Sequence, residues 1–505
     1  MPRIHLWKET TPVARVRFYL ATALVVALLS LLVAPRPLAF PLDDPYITIH
    51  NADVLLAGVD HNYSTSPLTG ATSEIHLLLV AFARLFLPST VALFMICMAS
   101  ACLYAAGLAR IAFQLGASRM MAALFVALGV LCGSTPFQLL NGLETGLAMA
   151  AVTWALSFSL ERSRSMRLPL LCGLMPFVRP ELAALSFVLM TRQLWMRFRA
   201  GEHAPAIRDV LIAVGIALPF LMWTWLSIGS LIPTTATAKQ LYFADQHAPW
   251  QKKLQMLTFG FVLSGLLPLA ALAALAWRSK LWTPLLLYVV SFLLALWATF
   301  PGGFIHNYGR YFFVLMPVFL YLTLDYLKAS RLGGMGFVVL AGWTALMLPV
   351  AMNEYYADEN LTAREYVSLA KWINTNLPPD ATLLIHDAGY LSYATSFRLV
   401  DVVGLKTPRS IVYHRACTAP TEGKDRRLAV SSIAMTSGAT YAVIMQDKAG
   451  FWSSIVQDLA TTGWHLREVR SPAISRGYAV YALTPPADAS IACRIAGPTL
   501  TAQHR

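Results

Sequence analysis

The sequence predicts a polytopic α-helical membrane protein that carries an α/β domain at its C-terminal end. Of its 505 residues, 57% are hydrophobic and only 13% are charged, whereas a soluble globular protein carries about 25% charged residues. Apolar runs of about 17 to 23 residues, long enough to cross a bilayer, recur up to Met352. After Met352 the composition becomes mixed and polar, which indicates a second kind of domain.

Nine apolar segments are predicted to cross the membrane, and a tenth is interrupted by charge. The interrupted segment, 168–191, contains Arg179-Pro180-Glu181 and is predicted to form two short helices that turn back on themselves, which gives about 11 membrane helices in all. The nine segments are 16–34, 90–112, 118–134, 142–160, 208–228, 257–277, 281–299, 311–327 and 335–352.

The basic residues of the loops predict the topology. With the N-terminus in the cytoplasm, 17 basic residues fall on the cytoplasmic side and 7 on the other, as the positive-inside rule requires. We therefore expect a multi-pass protein of the bacterial inner (cytoplasmic) membrane, with an uncleaved N-terminal signal anchor. The net charge of +13 reflects this topology and not nucleic-acid binding. The cytoplasmic group includes Arg3, Lys8, Arg162, Arg164 and Arg331.

Residues 353–505 are predicted to form a periplasmic, or otherwise extracytoplasmic, α/β domain, and residues 1–352 the transmembrane domain. Strand-like and helix-like runs alternate in the C-terminal part, which is typical of α/β folds. The strand-like runs are 381–387, 440–446 and 477–483, and the helix-like runs are 363–377 and 451–463.

Two of the six cysteines, Cys417 and Cys493, lie in the domain that is predicted to be exported. The other four lie in apolar runs of the membrane part. A lone pair of cysteines in an oxidising compartment predicts a disulfide.

The outer loops contain charged residues close to helix ends. The first outer loop, about 36–89 with a helix lying in the membrane interface, begins with the acidic pair Asp43-Asp44. Ionisable groups at membrane depth are costly and mark functional sites. The remaining candidates in the outer loops are Glu144, Arg179, Glu181, Lys239, His306 and Arg310.

This mixture of acids and bases suits a lipid-linked phosphosugar. Arg179, Lys239 and Arg310 are candidates for binding a phosphate, since arginine offers a bidentate fork and lysine a point charge. Asp43 or Asp44 is the candidate base that takes a proton from an attacking hydroxyl. The departing phosphate requires stabilisation as its charge develops.

Seven motifs follow one another along the chain: DDPYI (43–47), SPLTGATS (66–73), NGLETGL (141–147), RPE (179–181), GSLIPTTATAK (229–239), GRYFFVLMP (309–317) and DAGYLSYATSFRLVDVVGL (387–405). In this order they resemble the motifs of the GT-C superfamily of membrane glycosyltransferases, and especially of bacterial cell-wall arabinofuranosyltransferases and related enzymes. Two positions depart from the usual pattern of these enzymes: Leu182 follows RPE where glycine is usual, and Thr234 follows the proline where asparagine is usual.

The resemblance implies an inverting transfer of a sugar from a polyprenyl-phosphate donor. The acceptor would be an extracytoplasmic glycan, lipid or protein of the cell envelope, and Asp43 or Asp44 would be the base. Adjacent residues of an extended loop point in opposite directions. The second aspartate would therefore orient the loop or hold a divalent cation such as Mg, Mn or Ca.

Simpler interpretations of the same residues remain open. Asp43 and Asp44 could solvate a turn, and Glu144 could cap the following helix. Arg179 and Glu181 could form a structural pair, and Lys239 and Arg310 could be anchors at the membrane interface. A transporter or flippase of envelope precursors and a non-enzymatic membrane scaffold are the alternative functions.

Overall fold

The computed structural model describes residues 11–161, 165–330, 333–447, 450–472, 477–487 and Cys493. Five cations of the predicted topology, Arg3, Lys8, Arg162, Arg164 and Arg331, lie outside these residues. The chain divides into two compact units. The first contains Met1–Asp53, Thr72–Leu231 and Pro249–Asn360, and the second contains Val54–Ala71, Ile232–Ala248 and Leu361–Arg505.

The first unit is helical throughout the described residues, apart from its loops. Helix α2 ends in the second unit, α11 belongs to that unit, and α16 ends one residue inside it. The helices are α1 (Pro12–Val33), α2 (Asp44–Ala57), α3 (Glu74–Arg84), α4 (Ser89–Gln114), α5 (Arg119–Leu131), α6 (Thr135–Leu140), α7 (Thr145–Ser159), α8 (Arg167–Val178), α9 (Leu182–Arg199), α10 (His203–Ile228), α11 (Thr234–Phe243), α12 (Trp250–Leu263), α13 (Leu267–Ala274), α14 (Trp282–Thr299), α15 (Met316–Ala329) and α16 (Gly333–Leu361).

The helices identify a multi-pass membrane protein, and they occupy every segment that the sequence predicted to be a membrane helix. Five described helical stretches are long and apolar enough to cross a bilayer: α1, α4, α10, α14 and Gly334–Asn376. The pair α12 and α13, bent by 103°, would make a sixth. The predicted total of about 11 remains a prediction.

The turn at Arg179-Pro180-Glu181 separates α8 from α9. A residue that precedes proline is driven out of the helical conformation by the proline ring, and Arg179 is accordingly extended, with φ −157° and ψ 134°. Because α8 must stop there, the chain returns through α9, as the sequence predicted.

The second unit contains a five-stranded sheet, so the predicted α/β domain is confirmed. The strand order is β2-β1-β3-β5-β4, with β1 parallel to β2 and β3, and β5 antiparallel to β3 and β4. Its elements are α17 (Val367–Asn376), β1 (Thr382–Ile385), α18 (Tyr390–Ala394), β2 (Arg398–Asp401), α19 (Pro408–Tyr413), α20 (Arg426–Ser437), β3 (Tyr441–Met445), α21 (Ser454–Thr461), β4 (His465–Arg470) and β5 (Tyr478–Thr484).

The segment Val54–Ala71, which the sequence analysis counted with the membrane domain, is attached to the edge strand β2. The backbone oxygen of Asn62 accepts a hydrogen bond from the backbone nitrogen of Leu399 at 3.0 Å. The Asn62 side-chain amide donates to the backbone oxygens of Thr395 at 3.0 Å and Phe397 at 2.9 Å. The segment thus covers an edge that would otherwise present unpaired backbone groups to other chains.

A buried ion pair strengthens this attachment. Lys406, just after β2, lies 3.4 Å from Asp60, and neither side chain is exposed. Burial lowers the pKa of Lys406 to about 8 even though Asp60 opposes the change. Gly70 packs directly on this lysine, since a Cβ built on Gly70 would lie 2.7 Å from Cδ of Lys406. Removing either charge would leave the other buried without compensation, which typically costs several kcal/mol.

The two cysteines that were predicted to pair, Cys417 and Cys493, form a disulfide with their Cα atoms 6.0 Å apart. A buried histidine, His414, lies one helical turn before Cys417. Its Nε2 lies 2.8 Å from the backbone oxygen of Val402, and its Nδ1 lies 2.8 Å from the hydroxyl of Thr418. Since a carbonyl oxygen only accepts, Nε2 carries the proton and Nδ1 accepts from the hydroxyl.

We expect the second unit to lose stability as the pH falls from about 6.5 to about 4. Burial lowers the pKa of His414 to about 4, with Arg426 acting in the same direction. The unfolded chain takes up this proton near pH 6.5 and the folded chain only near pH 4, which destabilises the fold by up to about 3 kcal/mol. The measurement is hydrogen exchange of β2 and α19 in the detergent-solubilised chain at several pH values.

The comparison variants are His414→Gln and His465→Gln, the latter on the exposed edge strand β4. Whatever its stability at pH 7.5, His414→Gln should lose less protection between pH 6.5 and pH 4 than the parent, and His465→Gln should behave like the parent. Equal pH dependence in the parent and in His414→Gln would contradict this assignment.

Candidate active site

Five charged residues of the first unit form a row in which acids and bases alternate. Nη1 of Arg310 lies 3.2 Å from Oδ2 of Asp44, and its Nη2 lies 4.0 Å from Oε1 of Glu144. The same Glu144 oxygen lies 3.5 Å from Nη1 of Arg179, whose Nε lies 2.6 Å from Oε1 of Glu181. We call these five residues, Asp44, Arg310, Glu144, Arg179 and Glu181, the charge cluster.

The centre of the charge cluster is buried and its two ends are more open. The Arg179 side chain is 0% exposed, and those of Arg310 and Glu144 are 4% and 7% exposed. At the ends, Asp44 is 27% exposed and Glu181 is 19% exposed. Buried charges are tolerated when they are paired, so the alternation of signs explains how two guanidinium groups can lie inside this protein.

The pairing leaves hydrogen-bonding capacity unused. Nε, Nη1 and Nη2 of Arg179 are buried, and none makes a hydrogen bond within the described part of the chain, because the nearby carboxylates are poorly aligned with them. The same holds for Nε of Arg310 and for Oε1 of Glu144. A buried donor without an acceptor is unfavourable, so a bound anion would improve the site.

Tyr311 contributes an aromatic face to both arginines. The Arg179 guanidinium carbon lies 5.1 Å from the ring centroid and that of Arg310 lies 5.4 Å from it, which is cation–π distance. The ring of the predicted residue His306 lies 6.4 Å from that of Tyr311, centroid to centroid. His306 is therefore a neighbour of the charge cluster through Tyr311.

Three residues of this region were not found from the sequence: Tyr311, Tyr288 and His76. Tyr288, on α14, has a buried hydroxyl with no hydrogen bond among the described atoms. His76, on α3, is buried near enough to Glu144 for their charges to interact. Both lie within apolar helices, where a single polar residue is usually interpreted as part of the core. For Tyr311, its position next to Arg310 was the available signal.

Gly142 brings the loop with Glu144 against the loop with Asp44. Its φ is +84°, which favours glycine, and a Cβ at this position would lie 2.7 Å from Cβ of Pro45 and 2.8 Å from Cδ1 of Phe40. Asn141 supports the turn, since its side-chain oxygen accepts from the backbone nitrogen of Leu143 at 3.0 Å. The glycine of the NGLE motif thus permits the approach of Asp44 and Glu144.

The loop before Arg310 is held in an unusual conformation. Asn307, Tyr308 and Gly309 have φ values of +47°, +59° and +70°, and such a conformation is unfavourable for a bulky residue. The Tyr308 hydroxyl lies 2.9 Å from a carboxylate oxygen of Glu354 and 2.9 Å from one of Asp358, which share its single proton. Since surrounding contacts must stabilise this backbone, the position of Arg310 is set by the fold and not by a flexible loop.

The prediction of an extended loop at Asp43-Asp44 is wrong. Asp44 is the first residue of α2, and the backbone nitrogen of Tyr46 already bonds the oxygen of Asp43 at 3.0 Å. An acidic residue followed by Pro45 is favourable in the first turn of a helix, which explains the difference. Asp43 is buried, with 8% of its surface exposed, whereas Asp44 faces Arg310.

Glu144 occupies the N-cap position of α7 but makes no capping hydrogen bond. Its carboxylate turns to the arginines instead. Its Oε1 lies 3.5 Å from Nη1 of Arg179 and 4.0 Å from Nη2 of Arg310, so this carboxylate acts as the shared counter-ion of the two guanidinium groups.

Lys239 lies on α11, in the second compact unit, and is partly exposed. The predicted role of Lys239 in phosphate binding remains a prediction. The same is true of the divalent cation. No group of three or more histidine, cysteine or acidic side chains that could hold a metal ion occurs within the described ranges, and Asp44 already has a cationic partner.

Comparisons with known proteins support the fold. Residues 353–483, about a quarter of the chain, match a family described as a domain of unknown function, DUF8728. No curated protein matches the sequence of the chain.

Three solved structures are similar to nearly the whole chain. ArnT from Cupriavidus metallidurans bound to undecaprenyl phosphate has a TM-score of 0.53 and 14% identity, over 97% of this chain and 100% of that one. AftD, an arabinofuranosyltransferase from Mycobacteria, has a TM-score of 0.52 and 14% identity, over 96% of this chain and 42% of that one. AglB is an oligosaccharyltransferase from Archaeoglobus fulgidus, solved in complex with an inhibitory peptide and a dolichol-phosphate. It has a TM-score of 0.50 and 12% identity, over 91% of this chain and 74% of that one. All three are GT-C glycosyltransferases, so the predicted GT-C-like fold is confirmed.

We predict that Gly142→Ala destabilises the first unit and separates Asp44 from Glu144. The steric overlap of the added methyl group costs about 1–3 kcal/mol. The left-handed backbone of an alanine at this position costs about 1 kcal/mol more. The matched control is Gly229→Ala, where φ is +65° and no atom lies within 4 Å of the added Cβ. Thermal unfolding of the purified chain in detergent should show a clearly larger loss for Gly142→Ala. Equal losses would contradict the packing described for Gly142.

Proposed function

We propose that this chain, which has a GT-C-like fold, is a glycosyltransferase that moves a sugar from a polyprenyl-phosphate donor to an extracytoplasmic acceptor. The observation that carries the proposal is the buried Arg179 guanidinium, which has three nitrogens without a hydrogen-bond acceptor among the described residues and lies in a row with Arg310 and three carboxylates. Two solved relatives of the same fold, with undecaprenyl phosphate and dolichol-phosphate in their structures, support the choice of donor.

The donor phosphate binds to the guanidinium groups. Arg310 lies directly behind the open end of the charge cluster, which its partner Asp44 forms with 27% of its side chain exposed. A phosphate that approaches from this end competes with Asp44 for Arg310, because guanidinium binds phosphate and carboxylate by the same bidentate geometry. Arg310, with Arg179 behind it, then stabilises the charge that develops on the leaving phosphate.

The exchange at Arg310 prepares the base. Asp44, once released from Arg310, is a carboxylate beside the reacting carbon and accepts the proton of the acceptor hydroxyl. The oxygen of that hydroxyl forms the new bond to the anomeric carbon. The bond from this carbon to the phosphate oxygen breaks on the opposite face, and polyprenyl phosphate leaves with the bonding electrons. Attack from the face opposite the leaving group inverts the anomeric configuration.

Asp43 is the alternative base. It is buried and adjacent to Asp44, so it acts as the base if the acceptor hydroxyl approaches from its side. In that case Asp44 keeps its place as the counter-ion of Arg310. Lys239 is retained as a further candidate phosphate ligand and a divalent cation as a candidate cofactor. The bacterial inner membrane, with the C-terminal domain outside, is the proposed location.

The first test replaces Asp43 and Asp44 separately by Asn. Asparagine preserves size and polarity, so the base variant should express normally and lose about 10²- to 10⁴-fold in transfer rate. The matched control is Asp53→Asn, an acid of the same helix whose partner is Arg84, 2.8 Å away. Membranes with each variant are incubated with a panel of radiolabelled polyprenyl-phosphate sugars, and transfer to endogenous acceptors is counted.

Asp53→Asn should transfer sugar at the parent rate. If Asp43→Asn, Asp44→Asn and the double variant also do so, neither acid is the base, and Asp44 serves only as the counter-ion of Arg310. A parent protein that transfers no sugar from the whole panel, yet moves labelled lipid across vesicles, would favour the flippase alternative instead.

The second test is Arg310→Lys, which keeps the positive charge but loses the planar fork. Because transition-state stabilisation by an aligned donor contributes about 10²- to 10³-fold, we expect a loss of that size in transfer rate at saturating donor. Arg84→Lys, in the partly exposed pair with Asp53, is the control and should remain active. A rate unchanged in Arg310→Lys would show that this residue provides only charge.

A further inference from the structure

A polar cavity lies at the C-terminal ends of α7 and α9, whereas the charge cluster lies at their N-terminal ends. Glu144 and Glu181 directly precede α7 and α9, and the last turns of the same two helices line this cavity, whose volume is about 990 Å³. With a rise of about 1.5 Å per residue, the 15 residues of α7 separate the two sites by roughly 22 Å. The cavity lies wholly within the first unit and serves no step of the proposed transfer.

The cavity has an excess of positive charge. Its lining includes Arg192, Arg278, Lys280 and Lys328. Two of the three lining acids are already neutralised, since Glu161 pairs with Arg110, and Glu202 lies 3.0 Å from Arg197. The third lining acid is Asp325.

Three of the cavity cations have no acidic partner among the residues that the structure describes. Arg192, Arg278 and Lys280 make no salt bridge with any described residue, and the one hydrogen bond of Arg192 is donated to the backbone oxygen of Ser159 at 3.3 Å. The neutral backbone oxygen of Ser159 does not compensate the charge of Arg192. These three cations therefore give the cavity its preference for an anion.

Two tryptophans indicate the depth of the cavity in the membrane. Trp195 and Trp277 are 58% and 63% exposed, and tryptophan is enriched at the level of the lipid headgroups. Arg199 lies 4.6 Å from the ring centroid of Trp195, and Arg278, a cavity residue, lies 4.6 Å from that of Trp277. The two exposed tryptophans therefore mark the boundary between hydrocarbon and water, which places the cavity opening among headgroups.

We propose that this cavity binds the phosphate headgroup of an anionic phospholipid from the leaflet opposite the charge cluster. Basic pockets between membrane helices bind such headgroups, with each nearby cation contributing measurably. Arg192, Arg278 and Lys280 contact the phosphate oxygens, and the acyl chains lie on the exposed apolar surface that surrounds the opening. The proposal holds whether or not the protein transfers sugar. The positive-inside rule assigns this leaflet to the cytoplasmic side.

The test measures lipid binding to the purified full-length chain in mild detergent by native mass spectrometry. The probes are phosphatidylglycerol and phosphatidylcholine. We expect the parent to bind at least one phosphatidylglycerol about tenfold or more tightly than phosphatidylcholine, since one cation near a surface contributes about fivefold. Arg278→Gln and Lys280→Gln, both exposed, should each weaken phosphatidylglycerol binding about fivefold.

The matched control is Arg119→Gln, the exposed first residue of α5, which follows α4 at the same end of the bundle but does not line the cavity. It removes the same charge and should bind phosphatidylglycerol like the parent. Equal affinities for both lipids, or an equal loss in all three variants, would overturn the proposal. So would full displacement of the lipid by glycerol 3-phosphate at the same concentration, because a soluble phosphate compound would then be the ligand.

Discussion

The structure of the first unit depends on neutralising two arginines inside a membrane protein. Arg179 and Arg310 are almost wholly buried and share the single carboxylate of Glu144, with Asp44 and Glu181 at the ends of the row. Removing one charge from such a row leaves another without compensation. Three features must therefore keep their mutual positions: the helix starts at Asp44 and Glu144, and the helix break at Arg179. This requirement constrains α2, α7, α8 and α9 together.

The loops around this row are fixed by backbone geometry and not by side-chain charge alone. Gly142 allows two loops to touch, and the left-handed residues 307–309 direct the chain into Arg310. Gln138 joins the two regions by donating to the backbone oxygen of Asn307 at 2.9 Å. Neighbouring contacts hold these strained loops in one conformation, so the site is preorganised. Its charged side chains can therefore bind a phosphate without large movements of the loops.

Sequence reasoning predicted the helical membrane part, the α/β domain and four of the five members of the row by type and position, since charged residues at apolar helix ends are conspicuous. It also included Asp44, but assigned it to an extended loop, because Asp-Pro occurs both in turns and at helix starts. Strands β2 and β4 were missed because RLVD is short and HLREVR is too charged to resemble a buried strand. His76 and Tyr288 could not be found, since their significance arises only from residues that are distant in the sequence, whereas Tyr311 could have been found from its position next to Arg310.

The attachment of Val54–Ala71 to the sheet has a consequence for biosynthesis. Asp60 and Lys406, which meet in a buried pair, are separated by 346 positions in the chain. A ribosome that adds about 5–20 residues per second needs roughly 20 to 70 s to cover that interval. During this time the early segment has no strand to pair with, and the helices between are inserted one after another. The second unit therefore completes its fold late in synthesis, and its early segment must stay unpaired until β2 and Lys406 have been made.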